Sequence, residues 1–205
     1  MIAVVDYGSG NLNAISNLFR KHHIDFEITL DPNVIDRADS IVLPGVGAFD
    51  ATMTLLHNTG MYEVLNDQVI NKKKKILGVC VGMQVMAEAS EEGRMEGFGW
   101  IPGTVKKITV TPGSKPALPH LGWNDIKTKD DRLLHKIDPD AGFYFLHSYY
   151  FDVKNPEHVI ATTKYFHDFA CAVRNENIFG TQFHPEKSHS NGVQLFKNFA
   201  ELSLC

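Results

Sequence analysis

Three cysteines in 205 residues, Cys80, Cys171 and Cys205, are too few and too widely spaced for a disulfide framework or a Cys-x-x-Cys metal or redox site. The histidines offer no metal-ligand spacing either. His22 and His23 are adjacent, while His120, His135, His147 and His167 are scattered, so no metal is expected. No apolar run reaches the roughly 18 residues of a membrane span. The opening Ile2-Ala3-Val4-Val5-Asp6 lacks a preceding basic region and reads as a first strand rather than a signal segment. Charge of one sign is also missing: a formal net charge of -4 gives neither nucleic acid nor an acidic membrane a reason to bind. There is no internal repeat, low-complexity segment or linker, and Lys72 to Lys75, the one charge run, suits a solvated helix end. The expectation is a cytoplasmic chain forming a single domain over residues 1–205, with 43% hydrophobic residues to fill its core.

What is present is alternation. Ile2 to Asp6, Phe26 to Leu30, Ile41 to Leu43 and Ile76 to Cys80 have strand character, and Asn11 to His22 and Asp50 to Asn71 have helical character between them. This order predicts an α/β fold with a mostly parallel central sheet. From about Trp100 shorter β-rich segments follow, Val105 to Val110, Tyr144 to Phe151, Val159 to Thr163, Ala170 to Arg174 and Ile178 to Phe183, which predict added antiparallel strands. An amphipathic helix, Asn191 to Leu202, closes the chain.

The chemistry centres on Gly78-Val79-Cys80-Val81-Gly82, between an apolar strand and a helical run, Met83 to Ala89. A sharp strand-to-helix turn lifts a nucleophile into a cleft at the carboxyl end of a sheet, and flanking glycines admit close backbone approach. At a helix N-terminus the dipole and unpaired amides favour a thiolate, and the Val81 N–H would face a developing oxyanion. Alone, the pattern equally fits a buried structural thiol, so a base is needed. Gly180-Thr181-Gln182-Phe183-His184-Pro185-Glu186 supplies one: in an extended segment Glu186 would lie on the same side as His184 and orient it, completing a Cys-His-Glu arrangement. Pro44-Gly45-Val46-Gly47, otherwise plain turn punctuation, could expose a second oxyanion donor beside the elbow. Gly8-Ser9-Gly10 is a weak dinucleotide signal, because Asn13 stands where the third glycine belongs, and no cofactor is expected.

The Cys80 elbow followed about a hundred residues later by His-Pro-Glu resembles the class I, or triad, glutamine amidotransferases over essentially the whole chain. Asp6 to Leu12, Pro44 to Phe49, His120-Leu121-Gly122-Trp123-Asn124 and His147-Ser148-Tyr149-Tyr150 resemble the glutaminase subunits of imidazole glycerol phosphate synthases within that family. The resemblance implies a flavodoxin-like core and hydrolysis of glutamine to glutamate and ammonia through a thioester on Cys80, with His184 as acid and base. It places Gly47, Gln84, Glu92, Ser148 and Tyr149 at the glutamine site, and amides of Val46, Gly47 and Val81 at the oxyanion. It also implies that ammonia passes to a (β/α) barrel cyclase subunit of histidine biosynthesis, contacted by Asn11, Trp123, Tyr144 and Lys187. The stretches Lys164 to Asp168 and Ser188 to Gly192 also resemble paralogues that donate ammonia to sugar amidination in surface-polysaccharide synthesis. A stand-alone γ-glutamyl hydrolase and a non-catalytic module on the same fold are the competing readings.

Overall fold

The computed structural model describes residues 1–110 and 117–203; Cys205 lies outside them. Its first part runs β1 (Ile2–Val5), α1 (Leu12–Lys21), β2 (Phe26–Thr29), α2 (Pro32–Arg37), β3 (Ser40–Gly45), α3 (Phe49–Asn58), α4 (Met61–Asn66), β4 (Lys75–Cys80) and α5 (Val81–Gln84). The second part is β-rich: β5 (Ala89–Ser90), β6 (Gly103–Lys107), β7 (His120–Asn124), β8 (Lys127–Thr128), β9 (Phe143–His147), β10 (Tyr149–Val153), β11 (Val159–Tyr165), β12 (His167–Asn175) and β13 (Ile178–Thr181). Helix α6 (His189–Glu201) ends it.

Strands β1 and β3 are buried throughout and β4 from Ile76 onward, as parallel strands covered on both faces must be, which explains their apolar runs. The sheet order is β2-β1-β3-β4-β13-β12-β10-β6-β5. Strands β2, β1, β3, β4 and β13 pair in parallel, and β12, β10 and β6 extend the sheet antiparallel. Helices α1 and α6 meet edge to face through Phe19 and Phe196, 4.9 Å between ring centres. The carboxyl ends of β3, β4 and β13 therefore lie side by side, which is where an open α/β sheet binds ligands.

Several boundaries differ from the sequence expectation for local reasons. The helical stretch Asp50 to Asn71 breaks at Thr59-Gly60, where Gly60 is left-handed at φ 71, and its end widens so that Lys72 N bonds Asp67 O. Helix α2 was unforeseen, although Asp31 caps it and Pro32 opens it. The elbow helix stops at Gln84 instead of reaching Ala89, because Phe98 N and Gly99 N return to bond the Val85 and Ala87 carbonyls. Tyr144 to Phe151 is two strands, not one. Ser148 separates them, its carbonyl accepting from Ile108 N, and β9 leaves the main sheet to pair with β7 in a small antiparallel one. The strand expected at Val105 to Val110 is β6, shifted towards Gly103 and ending at Lys107.

Candidate active site

Cys80 ends β4 and caps α5 at φ 55, ψ -111, an uncommon conformation for a residue with a Cβ. Its neighbours make this possible. A side chain at Gly82 would overlap the Leu43 carbonyl oxygen of β3, and one at Gly78 would overlap the Gly82 carbonyl. The glycines of the motif thus let β3, β4 and α5 close together, and the Cys80 thiol stands over the strand ends.

His184 follows β13, its N–H held by the Tyr144 carbonyl at 2.9 Å. Its Nδ1 lies 2.8 Å from Glu186 Oε1, with both side chains nearly fully buried. The link differs from the expected one: Pro185–Lys187 is a tight helical turn, which folds Glu186 back under the imidazole. Ser188 fixes that turn, donating to His184 O at 2.7 Å and accepting from Tyr144 N at 3.0 Å. A carboxylate only accepts, so Nδ1 carries a proton and Nε2 is left for the sulfur. Burial opposes the imidazolium, but hydrogen bonds to Cys80 and then Glu186 outweigh it and push His184 up to about 10. His184 is therefore charged at neutral pH, beside the sulfur it would serve.

Cys80 and His184 open into a cavity of about 290 Å³ whose walls include Val46, Gly47, Val81, Gln84, Glu92, Ser148 and Tyr149. All residues expected at the oxyanion and glutamine sites are thus brought together. Glu92 also accepts from Phe49 N at 2.8 Å at the start of α3. Gln84 Nε2 donates to Tyr149 O and to Gln182 Oε1, each at 3.0 Å, so its carbonyl oxygen is what it offers a ligand. One expectation needs correcting. The Val46 N–H does not face the cavity unencumbered: it donates to Ser9 Oγ at 3.1 Å, and Ser9 donates back to Val46 O at 2.8 Å. The Val81 N–H lies in the first turn of α5, where backbone donors have no partner within the helix.

Asn11, Trp123, Tyr144 and Lys187 gather on one side of the site. Lys187 Nζ sits 5.4 Å over the Tyr144 ring, Trp123 packs edge-on to Tyr144 at 6.3 Å, and Asn11 Nδ2 reaches Glu186 Oε1 at 3.5 Å. Trp123, Leu121 and Leu146 project from β7 and β9 at 48%, 60% and 40% exposure, an apolar face beside the cavity.

Two of the histidines that looked scattered are paired. His147 lines the cavity and its Nδ1 meets Tyr149 O at 2.8 Å, which forces the proton onto Nδ1. Its Nε2 then accepts from His120 Nδ1 at 2.9 Å, and His120 Nε2 accepts from Asn124 Nδ2 at 3.2 Å. Two neutral rings satisfy this chain; a proton on either would set two N–H groups against each other. Burial accordingly lowers His120 to about 4 and His147 to about 3. Among the described residues no group of histidine, cysteine and carboxylate side chains could hold a metal.

The sign of the resulting pH effect follows from those two values. Below pH 6.5 the unfolded chain protonates both rings and the folded chain does not, so their contribution is complete above 6.5 and is lost as pH falls towards 4. Each histidine adds a slope of about 1.4 kcal/mol per pH unit in that window. Urea unfolding of the wild type and of His147→Gln between pH 7 and 5 is expected to show the slope reduced by about that amount in the variant. Equal slopes would mean that His147 is not held neutral.

Sequence reasoning passed over Gln182, fully buried with Nε2 3.7 Å from Cys80 Sγ. The available signal was a polar amide inside the apolar run Ile178 to Phe183.

Comparison with known proteins agrees with this geometry. The family model "Glutamine amidotransferase class-I" matches residues 3–202. A protein of Bdellovibrio bacteriovorus named imidazole glycerol phosphate synthase subunit HisH is 46% identical over 204 residues, covering 98% of this chain and 100% of its own. A protein of the same name from Leptospira borgpetersenii is 47% identical with the same coverage. Among solved structures, a putative GMP synthase subunit of Thermoplasma acidophilum superposes with a TM-score of 0.72 at 21% identity, covering 97% of this chain and 91% of its own, a likeness of fold. The flavodoxin-like class expected from the sequence is the class of these neighbours. A family model that spans nearly the whole chain, relatives almost half identical from end to end and a cysteine elbow sharing one cavity with a buried histidine make this protein a class I glutamine amidotransferase.

Proposed function

We propose that this chain, acting as one domain, is the glutaminase subunit of an imidazole glycerol phosphate synthase. The observation that carries the chemistry is the Cys80 thiol sharing the wall of a cavity of small-substrate size with His184, whose imidazole is backed by a buried carboxylate. In this reading the thiolate attacks the side-chain carbonyl carbon of glutamine and the Val81 N–H receives the oxyanion. His184 gives a proton to the departing nitrogen, releasing ammonia and leaving a glutamyl thioester. Water, deprotonated by His184, then attacks the thioester, releasing glutamate and restoring the thiol.

The relatives' names support the pathway assignment: they are subunits of a synthase that forms imidazole glycerol phosphate. Ammonia would pass to a (β/α) barrel cyclase docked on the face formed by Trp123, Tyr144, Lys187 and Asn11, close to where it is released. The apolar character of Trp123, Leu121 and Leu146 suits a surface covered in the working complex. The test is glutamate release by the chain coexpressed with a cyclase, with and without the cyclase's nucleotide substrate. Activity is expected to rise at least tenfold on adding cyclase and nucleotide. Stimulation by a sugar-amidinating synthase instead would move the protein to the polysaccharide branch, and full activity of the chain alone on γ-glutamyl peptides would make it a hydrolase.

A further inference from the structure

Gln182 has no part in the chemistry set out above, yet it touches the reacting atom. It follows β13 and is fully buried, with its backbone N–H on the Cys171 carbonyl at 2.9 Å. The orientation of its carboxamide is fixed by a chain of donors and acceptors. The Tyr149 carbonyl can only accept, so the Gln84 atom 3.0 Å from it is the nitrogen Nε2. That nitrogen donates its second proton to Gln182 at 3.0 Å, so the Gln182 atom facing it is the oxygen. The Gln182 nitrogen must then face Cys80, and it lies 3.7 Å from Sγ, a hydrogen-bond distance for sulfur.

We propose that Gln182 is a further catalytic residue: its Nε2–H donates to the Cys80 sulfur, stabilises the thiolate and fixes the direction from which it attacks. A donor to an ionised acceptor is worth roughly twice one to a neutral acceptor, so the contact favours the thiolate over the thiol. The Leu146 carbonyl, 3.9 Å from the same sulfur, can only accept and so serves the thiol rather than the thiolate. The Gln84–Gln182 pair also ties the sulfur to the backbone of Tyr149, a wall of the cavity, so the nucleophile and the substrate pocket share one set of hydrogen bonds. A buried amide serving structure alone would satisfy its own polar atoms without biasing ionisation of the thiol.

The proposal rests on Cys80 being the nucleophile, and the experiment separates the two. Alkylation of Cys80 by iodoacetamide is followed against pH by mass spectrometry of its peptide, in the wild type, Gln182→Met and Gln182→Glu, alongside steady-state glutaminase kinetics in the synthase complex. Gln182→Met keeps the length and removes the donor. It is expected to raise the alkylation midpoint by about one pH unit and to lower kcat about tenfold, with KM changed less than about threefold. Gln182→Glu, which sets a carboxylate against the sulfur, is expected to raise the midpoint further. Should either variant fail to fold, the side-chain amide protons of Gln182 in the wild type give an independent readout. Their NMR shifts are expected to titrate with the alkylation midpoint of Cys80. Unchanged midpoint and kcat in folded Gln182→Met, or amide shifts indifferent to thiol ionisation, would overturn the role of Gln182 while leaving the nucleophile intact. Glutaminase activity surviving in Cys80→Ala would instead remove the nucleophile reading itself.

Discussion

Cys80→Ala is expected to lower glutamine hydrolysis in the synthase complex by on the order of 10^4-fold or more, with the fold and partner affinity unchanged. Among the described residues no second thiol stands in for it. Cys171 is completely buried within β12, and burial pushes its thiol far up, away from the thiolate. The substitution is mild for the fold, because alanine keeps the Cβ that already tolerates φ 55 at this position and removes a single atom. His184→Ala is expected to cost a similar factor, since it removes both the partner of the thiolate and the proton donor to ammonia. Glu186→Gln is expected to cost less, on the order of 10^2 to 10^4, because an amide oxygen still accepts from Nδ1 but no longer favours the imidazolium. Measuring kcat for the three variants, with urea unfolding as a check on folding, tests the set. Retention of a tenth of wild-type activity by Cys80→Ala would sink the thioester mechanism, and a Glu186→Gln loss larger than that of His184→Ala would mean that the carboxylate acts directly on substrate.

How far the site was legible depended on whether its parts are local in the chain. The elbow was readable because Gly78 and Gly82 have a steric cause carried in the motif: no side chain fits between β3, β4 and α5. His184 and Glu186 were readable as a pair, but the geometry behind the pairing was not, since Pro185 tightens the segment into a helical turn where alternation along a strand had been expected. Contacts joining distant segments left no trace. Nothing near Val46 announces that Ser9, from the loop after β1, takes its N–H. His120 and His147 looked unrelated because their meeting depends on β9 pairing with β7, and that depends on a strand break at Ser148 which the aromatic residues on either side conceal. The parallel half of the sheet was plain from its apolar runs, whereas β6, where buried and partly exposed residues alternate, blurred its own boundaries.

Gly82→Ala is expected to damage the fold severely and to remove activity with it. The added methyl would overlap the Leu43 carbonyl oxygen, which is backbone in a central strand paired on both sides, so no side-chain rotation relieves the contact. Either β3 shifts, disturbing a fully buried strand, or α5 lifts, carrying the Val81 N–H and the Cys80 sulfur away from His184. The expected loss is about 3 kcal/mol or more of unfolding free energy, at the upper end for a point substitution. Gly60→Ala separates this steric cause from the backbone preference of glycine. Gly60 is left-handed at φ 71 with open space where the methyl would go, so its cost is expected to be conformational only, about 1 kcal/mol, with activity retained. Urea unfolding and the alkylation rate of Cys80 in both variants give the comparison. If Gly82→Ala were no more destabilised than Gly60→Ala and its Cys80 reacted at the wild-type rate, close contact of β3 with α5 would not be what holds the nucleophile over the strand ends.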